Sequence, residues 1–244
     1  LNNNLWLSTF RSGVFKLENP ETEFNFKKVI NYNKNNGLSS NFTKDVFEDR
    51  EGNIWVATYG EGLATLLNEA FEFFSYPVEG IDNNIFSVCA GKNVMWLGGE
   101  NALLQLKYAP EFETKIFNKL NGLPDDAISS LYFDGNNTLW IGTNNSGLFR
   151  MNTITERITR YRYRANSLGR SINSITGSDE SIYLATKDGI YYFNLKHDST
   201  INYTTIQGLT HNDIAKVFLD AENRLLFVTK SNGIYEIDYK GEIN

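Results

Sequence analysis

A four-residue segment recurs along this chain at a nearly constant interval. Its first residue, here called the anchor, is tryptophan in four copies and another large apolar residue in two: Trp6, Trp55, Trp96, Trp140, Tyr183 and Leu226. Successive anchors are separated by 49, 41, 44, 43 and 43 residues, and every tryptophan of the chain is an anchor. A period of this length predicts an array of similar supersecondary units that stack on one another.

The residues around each anchor predict four short strands in every unit. In five of the six copies, the position three residues before the anchor holds glycine or asparagine, which tolerate positive φ: Asn3, Gly52, Asn93, Asn137 and Asn223. Asp49, Asp134 and Asp220 stand six residues before their anchors, where a carboxylate accepts hydrogen bonds from a turn. A β-type run precedes each turn, and two more follow the anchor strand. We therefore expect an all-β fold, a β-propeller of four-stranded antiparallel blades.

The two ends of the repeat array are expected to be incomplete. The first copy lacks the strand that would precede Trp6, and the last copy stops near Ile237. We expect residues 1–244 to form a single, partial propeller that is a piece of a longer protein. Unpaired sheet edges at both ends predict pairing with a second copy, hence a homodimer, or with the remaining blades.

Composition excludes several classes of function. A net charge of −6 argues against a nucleic-acid partner, which requires a surplus of lysine and arginine on one face. Cys89 is the only cysteine, and the two histidines, His197 and His211, lack companions at metal-binding spacing. Without a nucleophile motif or a phosphate loop, we expect no catalytic residue, no metal and no cofactor.

Propeller topology predicts where a ligand would bind. The loops after the fourth strand and after the second strand of each blade lie on one face. In the first set are Asn41, Asn84, Asp126, Arg170, His211 and Asn212. The second set supplies the predicted ligand-binding residues: Phe10, Arg11, Tyr59, Glu61, Asn144, Asn145, Lys187, Asp188, Lys230 and Asn232. Amides and charges match sugar hydroxyls, and aromatic rings stack on sugar faces.

Two stretches carry a family resemblance. One runs from Asn36-Gly37-Leu38 through Asp49-Arg50-Glu51-Gly52-Asn53-Ile54-Trp55-Val56-Ala57-Thr58 to Gly62-Leu63; the other runs from Asn121-Gly122-Leu123 through Trp140-Ile141-Gly142-Thr143 to Gly147-Leu148. Both resemble the two-component regulator propeller repeat. The resemblance implies the periplasmic sensor region of a hybrid histidine kinase, tethered to the inner membrane, with more repeats, enough for two seven-bladed propellers. It implies oligosaccharide ligands and, as partners, the remaining sensor blades and the membrane and kinase segments of the same protein.

Two other functions remain open at this point. The chain could be a purely structural propeller that mediates dimerisation or domain docking. The Asp-x-x-Gly-x-x-Trp turn also resembles the Asp-box of sialidases, which would make the chain a glycoside-acting enzyme with an arginine triad. Candidate arginines exist, but Arg160, Arg162 and Arg164 alternate along one predicted outer strand, which favours a solvated face over a binding patch.

Overall fold

The computed structural model describes residues 4–20, 26–49, 52–67, 70–74, 84–91, 93–107, 113–162, 171–178, 180–220, 223–231 and 233–237. These residues form 22 strands in six antiparallel sheets of three or four strands, named A to F in chain order. By contacts the chain divides into two compact units, Leu1–Lys115 and Ile116–Asn244.

The first three sheets contain eleven strands. Sheet A consists of β1 (Leu5–Thr9), β2 (Gly13–Pro20) and β3 (Phe26–Tyr32). Sheet B consists of β4 (Thr43–Glu48), β5 (Ile54–Thr58), β6 (Leu63–Leu67) and β7 (Ala70–Phe74). Sheet C consists of β8 (Ser87–Gly91), β9 (Val94–Gly98), β10 (Leu103–Lys107) and β11 (Glu113–Phe117).

The other three sheets repeat this order. Sheet D consists of β12 (Ile128–Phe133), β13 (Thr138–Thr143), β14 (Leu148–Asn152) and β15 (Ile158–Arg160). Sheet E consists of β16 (Ile172–Gly177), β17 (Ser181–Thr186), β18 (Gly189–Asn194) and β19 (Ser199–Tyr203). Sheet F consists of β20 (Ile214–Leu219), β21 (Leu225–Thr229) and β22 (Gly233–Ile237).

Helical structure in the described part of the chain is limited to three single 3₁₀ turns, Lys34–Asn36, Lys119–Asn121 and Thr205–Gln207. Each turn begins with a reciprocal capping box and ends at a glycine with positive φ. The next residue is a buried leucine, Leu38, Leu123 or Leu209. In the Gly-Leu pair of the repeat, the glycine therefore ends the 3₁₀ turn and the leucine packs the loop against the core.

Three anchors are seen to pack against the core of the next sheet, as the repeat predicts: Trp6, Trp140 and Tyr183. All six anchors lie in equivalent strands: β1, β5, β9, β13, β17 and β21. Trp140 of sheet D is buried against Ile172, Leu184 and Phe193 of sheet E. Replacing a buried tryptophan of this kind by alanine costs about 3–5 kcal/mol, because both the buried area and the packing contacts are lost. The predicted all-β propeller fold is confirmed.

The turns before the anchors confirm one prediction and correct another. Asp49 accepts a hydrogen bond from the Asn53 amide at 2.8 Å, and Asp220 accepts one from the Arg224 amide at 2.8 Å. Positive φ occurs three residues before the anchor at Gly52, Asn93 and Asn223, but not at Asn137. In that copy the left-handed residue is Gly135, because three turn amides bind Asp134 and shift the bend two residues earlier. Asn3 lies outside the described residues.

Candidate functional site

In sheets A, B, D and E a threonine and a glycine of the repeat close the turn after the anchor strand. The Thr58 hydroxyl donates to the Gly62 carbonyl at 2.8 Å, and Thr143 and Gly147 make the same bond at 2.8 Å. The backbone of this turn also binds the loop before the first strand of its own sheet. The Tyr59 amide donates to the Phe42 carbonyl at 2.9 Å, so the two predicted sets of loops lie together at one end of sheet B.

Four aromatic rings and one lysine gather at this end of the first unit, and we call them the aromatic–lysine cluster: Phe10, Phe42, Lys44, Tyr59 and Phe86. The Lys44 Nζ lies 4.9 Å from the Phe10 ring centroid and 5.4 Å from those of Tyr59 and Phe86. Phe42 meets Phe10 edge to face at 5.6 Å. These distances place the ammonium group in the range of cation–π attraction to three rings at once.

A β-bulge directs Lys44 toward these rings. The pairing of β4 with β5 shifts register between Thr43 and Asp45, which leaves Lys44 as the extra residue. The same bulge in sheets D and E places Ser129 and Asn173, whose side chains donate to the Ile172 and Ile214 carbonyls of the next sheet. Those two bulge residues fasten neighbouring sheets, whereas the side chain of Lys44 faces aromatic rings.

The electrostatics of the cluster favour a ligand that can accept hydrogen bonds. Burial lowers the pKa of the Lys44 ammonium, since the rings replace part of its water shell. Within the described part of the chain, no carboxylate forms an ion pair with Lys44. The Arg11 guanidinium lies 5.9 Å from the Phe10 centroid and adds a second cation at the rim. Exposed aromatic rings can stack on a sugar ring, and cationic N–H groups beside them can donate hydrogen bonds to the sugar oxygens.

Two of the ten predicted ligand residues, Phe10 and Tyr59, belong to this cluster, and a third, Arg11, lies at its rim. Glu61 lies exposed in the same turn as Tyr59 and has no described contact with the rings. Sequence reasoning missed Phe42, Lys44 and Phe86, which lie beside or within the first strands of sheets B and C. Their signal in the sequence is weak, because only the register of β4 shows which way residue 44 faces.

Two of the six predicted residues of the second unit, Asn145 and Lys230, make side-chain contacts within the fold. The Asn145 amide donates to Asp126 at 2.7 Å and its side chain at 3.2 Å, which fixes the turn. Burial raises the pKa of the Asp126 carboxyl, but hydrogen bonds from Asn145 and Ser146 outweigh it and leave the pKa below its ordinary value. Lys230 pairs with Asp213 at 3.1 Å. Asn144, Lys187 and Asp188 are exposed, and Asn232 lies outside the described residues.

The other predicted loop set also turns out to be largely structural. The Asn41 side chain accepts a hydrogen bond from the Lys34 amide at 2.8 Å, and Asn212 accepts one from Thr205 at 2.8 Å. Both asparagines thereby hold the start of a 3₁₀ turn. His211 accepts a bond from the Asp213 amide at 3.0 Å through Nδ1. Arg170 is not among the described residues.

No group of three or more His, Cys, Asp or Glu side chains is placed to hold a metal ion in the part of the chain that the structure describes. Of the helices found there, none has the length and apolar character needed to cross a membrane.

Comparison with known proteins supports the fold. Histidine kinase P4 of Formosa agariphila is 26% identical over 91% of this chain, which spans 17% of the kinase. The extracellular domain of a hybrid two component system from B. thetaiotaomicron superposes with a TM-score of 0.73 at 18% identity, over 99% of this chain and 33% of that one. PorZ, a surface component of the type-IX secretion system of Porphyromonas gingivalis, superposes with a TM-score of 0.67 at 16% identity, over 96% of this chain and 37% of that one.

Two family descriptions match the sequence itself. Residues 37–60 match the two component regulator propeller, which confirms the resemblance drawn from the repeat. Residues 95–244, more than half of the chain, match the family described as the N-terminal beta-propeller domain of PorZ, TSS9. The chain therefore belongs to the family of PorZ N-terminal β-propeller domains and carries a two-component regulator propeller repeat.

Proposed function

We propose that this chain is a non-catalytic sensor module of a hybrid two-component receptor and that it binds an oligosaccharide at the aromatic–lysine cluster. The observation that carries the proposal is the exposure of Phe10, Phe42 and Tyr59, at 56%, 44% and 48%, around a single lysine. Large exposed rings gathered in one place mark binding surfaces. These groups suit an oligosaccharide, because aromatic rings stack on the faces of a sugar and an ammonium group donates hydrogen bonds to its oxygens.

The signalling part of the proposal is supported by the relatives. The kinase relative is far longer than this chain, and the two-component neighbour is an extracellular domain. By analogy, the membrane and kinase segments lie elsewhere in the same protein, and this chain faces the periplasm. The cluster offers rings and a cation but no nucleophile beside a base, which is why the proposed role is binding and not catalysis.

Calorimetric titration of the intact 244-residue chain with neutral and uronic-acid oligosaccharides tests the binding site. We expect binding to weaken about fivefold or more in Tyr59→Ala, since a ring contact contributes roughly 0.5–1.5 kcal/mol beyond its buried area. Lys44→Met should weaken binding as well, because it removes the donor and keeps the length of the side chain. Lys107→Met is the matched control, since Lys107 is an exposed lysine of the same unit paired with Glu113.

The outcomes separate the parts of the proposal. Binding that Tyr59→Ala and Lys44→Met leave unchanged would place the ligand elsewhere on the chain. An equal loss in Lys107→Met would point to net charge instead of the cluster. If no oligosaccharide binds, the cluster serves as a docking surface and the sensor proposal fails for this segment.

A second candidate is a surface component of a type-IX secretion system. It is favoured by the family match over residues 95–244, which is much longer than the regulator-repeat match over residues 37–60. Digestion of intact cells with an external protease distinguishes the two. A surface component is cleaved in intact cells, whereas a periplasmic sensor is cleaved only after the outer membrane has been opened.

A further inference from the structure

An arginine-lined groove on sheet D lies apart from the aromatic–lysine cluster. It has a volume of about 580 Å³ and is lined by residues of β13, β14, β15 and the hairpin between the last two. Three of the lining residues are Arg150, Arg157 and Arg160, and the others are threonines and one asparagine. Groove volumes of a few hundred Å³ are typical of small-molecule sites.

The lining of the groove is positively charged over the described residues. No described aspartate or glutamate is among the lining residues, and none of the three arginines forms an ion pair with another described residue. This is unusual on a chain whose net charge is −6. Arg150 and Arg157 therefore give the groove lining a positive charge, which an anion bound there would offset. A merely solvated face would be expected to mix both signs of charge.

Buried aromatic residues hold Arg150 in place. Its guanidinium carbon lies 5.6 Å from the centroid of the Tyr161 ring. Tyr161 in turn meets Trp140 edge to face at 5.0 Å and Phe193 at 5.9 Å. Trp140 and Phe193 are buried in the core of the unit, so the ring beneath Arg150 has a fixed position. An arginine held by a ring loses less side-chain entropy when it binds a ligand.

A hydrogen-bonded hairpin holds the other side of the groove. The Asn152 side-chain oxygen accepts bonds from the amides of Ile154 and Thr155, at 3.1 and 2.8 Å. The Asn152 amide donates to the Arg157 carbonyl at 3.1 Å, which closes the hairpin. With its oxygen engaged by the turn, Asn152 presents its NH₂ group as a donor. The lining therefore supplies guanidinium, amide and hydroxyl donors and no carboxylate.

We propose that this arginine groove binds a small molecule that carries oxyanion groups: carboxylate, sulfate or phosphate. Guanidinium groups bind such groups through paired N–H donors. The groove is larger than one inorganic ion requires, and its threonine and asparagine side chains suit hydroxyl groups on the rest of the ligand. The assignment is independent of the sensor proposal, because it uses none of the residues of the aromatic–lysine cluster.

The test is calorimetric titration of the intact chain with four probes: sulfate, inorganic phosphate, a uronic-acid disaccharide and a neutral disaccharide of the same size. We expect the anions to bind, the neutral sugar not to bind at this site, and affinity to fall as sodium chloride is added. Arg150→Gln and Arg157→Gln should each weaken anion binding about tenfold or more, since a charge-assisted hydrogen bond contributes roughly 1.5–3 kcal/mol. Tighter binding of the disaccharide than of either inorganic ion identifies a sugar-borne acid as the ligand.

Two further variants make the result decisive. Lys187→Gln removes the same charge from an exposed residue of the same unit that does not line the groove, and it should leave anion binding unchanged. Arg150→Lys keeps the charge and loses the paired donors, so it should give intermediate affinity even if Arg150→Gln fails to fold. The proposal is overturned if no anion binds, if the Arg150 and Arg157 variants bind as well as the parent chain, or if Lys187→Gln loses as much affinity as they do.

Discussion

Two aspartates in the same position of the repeat bind their turns differently. Asp49 uses both oxygens: Oδ1 accepts from the Asn53 amide at 2.8 Å, and Oδ2 accepts from the Trp55 indole at 2.8 Å. Asp134 uses Oδ1 for three turn amides, and the indole of its own anchor, Trp140, has no hydrogen-bond partner among the described residues. The turn aspartate therefore binds both the turn and the anchor side chain in sheet B, whereas in sheet D it binds only the turn.

This difference predicts unequal responses to the same substitution. Asp49→Asn replaces one carboxylate oxygen by an NH₂ group, which must face either the Trp55 indole or the Asn53 amide, so a buried donor loses its acceptor. We expect a loss of about 1–3 kcal/mol in the free energy of unfolding, measured by urea titration. Asp134→Asn keeps one oxygen for the turn amides and should cost less than about 1 kcal/mol. Equal losses in the two variants would show that the Trp55 hydrogen bond adds nothing to the turn.

At the scale of the strand, the glycine that opens the third strand of a sheet has two different environments. A Cβ at Gly189 would lie 2.1 Å from the Tyr203 carbonyl oxygen, because β18 passes close to the end of β19. A Cβ at Gly233, the same position in sheet F, would meet no atom of the described residues within 4 Å. Both glycines have positive φ, of 113° and 104°. Gly189 is thus required for close approach as well as for backbone conformation.

The two positions form a matched pair for substitution. Gly233→Ala should cost only the backbone strain, about 1–3 kcal/mol. Gly189→Ala should cost that strain and roughly 1–3 kcal/mol more, since either Tyr203 or the whole turn must move. Thermal unfolding of both variants measures the difference, and hydrogen exchange in β18 and β19 should rise in Gly189→Ala. A Gly233 variant as unstable as the Gly189 variant would contradict this account.

The anchors and turns of the repeat could be predicted from the sequence, but the β-bulge in the first strand of a sheet could not. The anchors and the turn aspartates could be predicted because the same residue types recur at the same spacing. The bulge in the first strand has no such mark, since Lys44, Ser129, Asn173 and Ala215 occupy it in sheets B, D, E and F. Its position depends on how two strands pair, which spacing along the chain does not show. For the same reason Phe42 and Phe86 could not be assigned to the cluster beforehand.

The whole molecule combines a regular framework with two different surfaces. Within each unit, first strands of neighbouring sheets contact one another, as β4 contacts β8 and β12 contacts β16. The framework is shared by proteins of different functions, so function has to be argued from the surfaces it carries. The exposed rings around Lys44 suit sugar faces, and the arginine groove suits oxyanions. These two chemistries can be tested independently, because no side chain belongs to both.

The sheets at the two ends of the chain differ from the four between them. In sheets B to E the anchor strand and the strand after it are each paired on both sides. In the described residues of sheets A and F, β1 pairs only with β2, and β22 pairs only with β21. Among the described residues, one edge of β1 and one edge of β22 therefore have no partner strand. Such edges are templates for pairing with another chain.

We expect the isolated 244-residue chain to associate through these edges as its concentration rises, which sedimentation velocity can measure. Leu7 in β1 and Ile234 in β22 are 40% and 43% exposed, and a lysine at either position should weaken association by placing charge on the edge strand. Ile201→Lys is the comparison variant: Ile201 is 47% exposed in β19, the outer edge strand of a complete four-stranded sheet. A smaller effect there than at Leu7 or Ile234 would show that the edges of sheets A and F are the ones that associate. A monomer at every concentration, with amides of β1 and β22 exchanging as slowly as those of β13, would show that these edges are already covered within one chain.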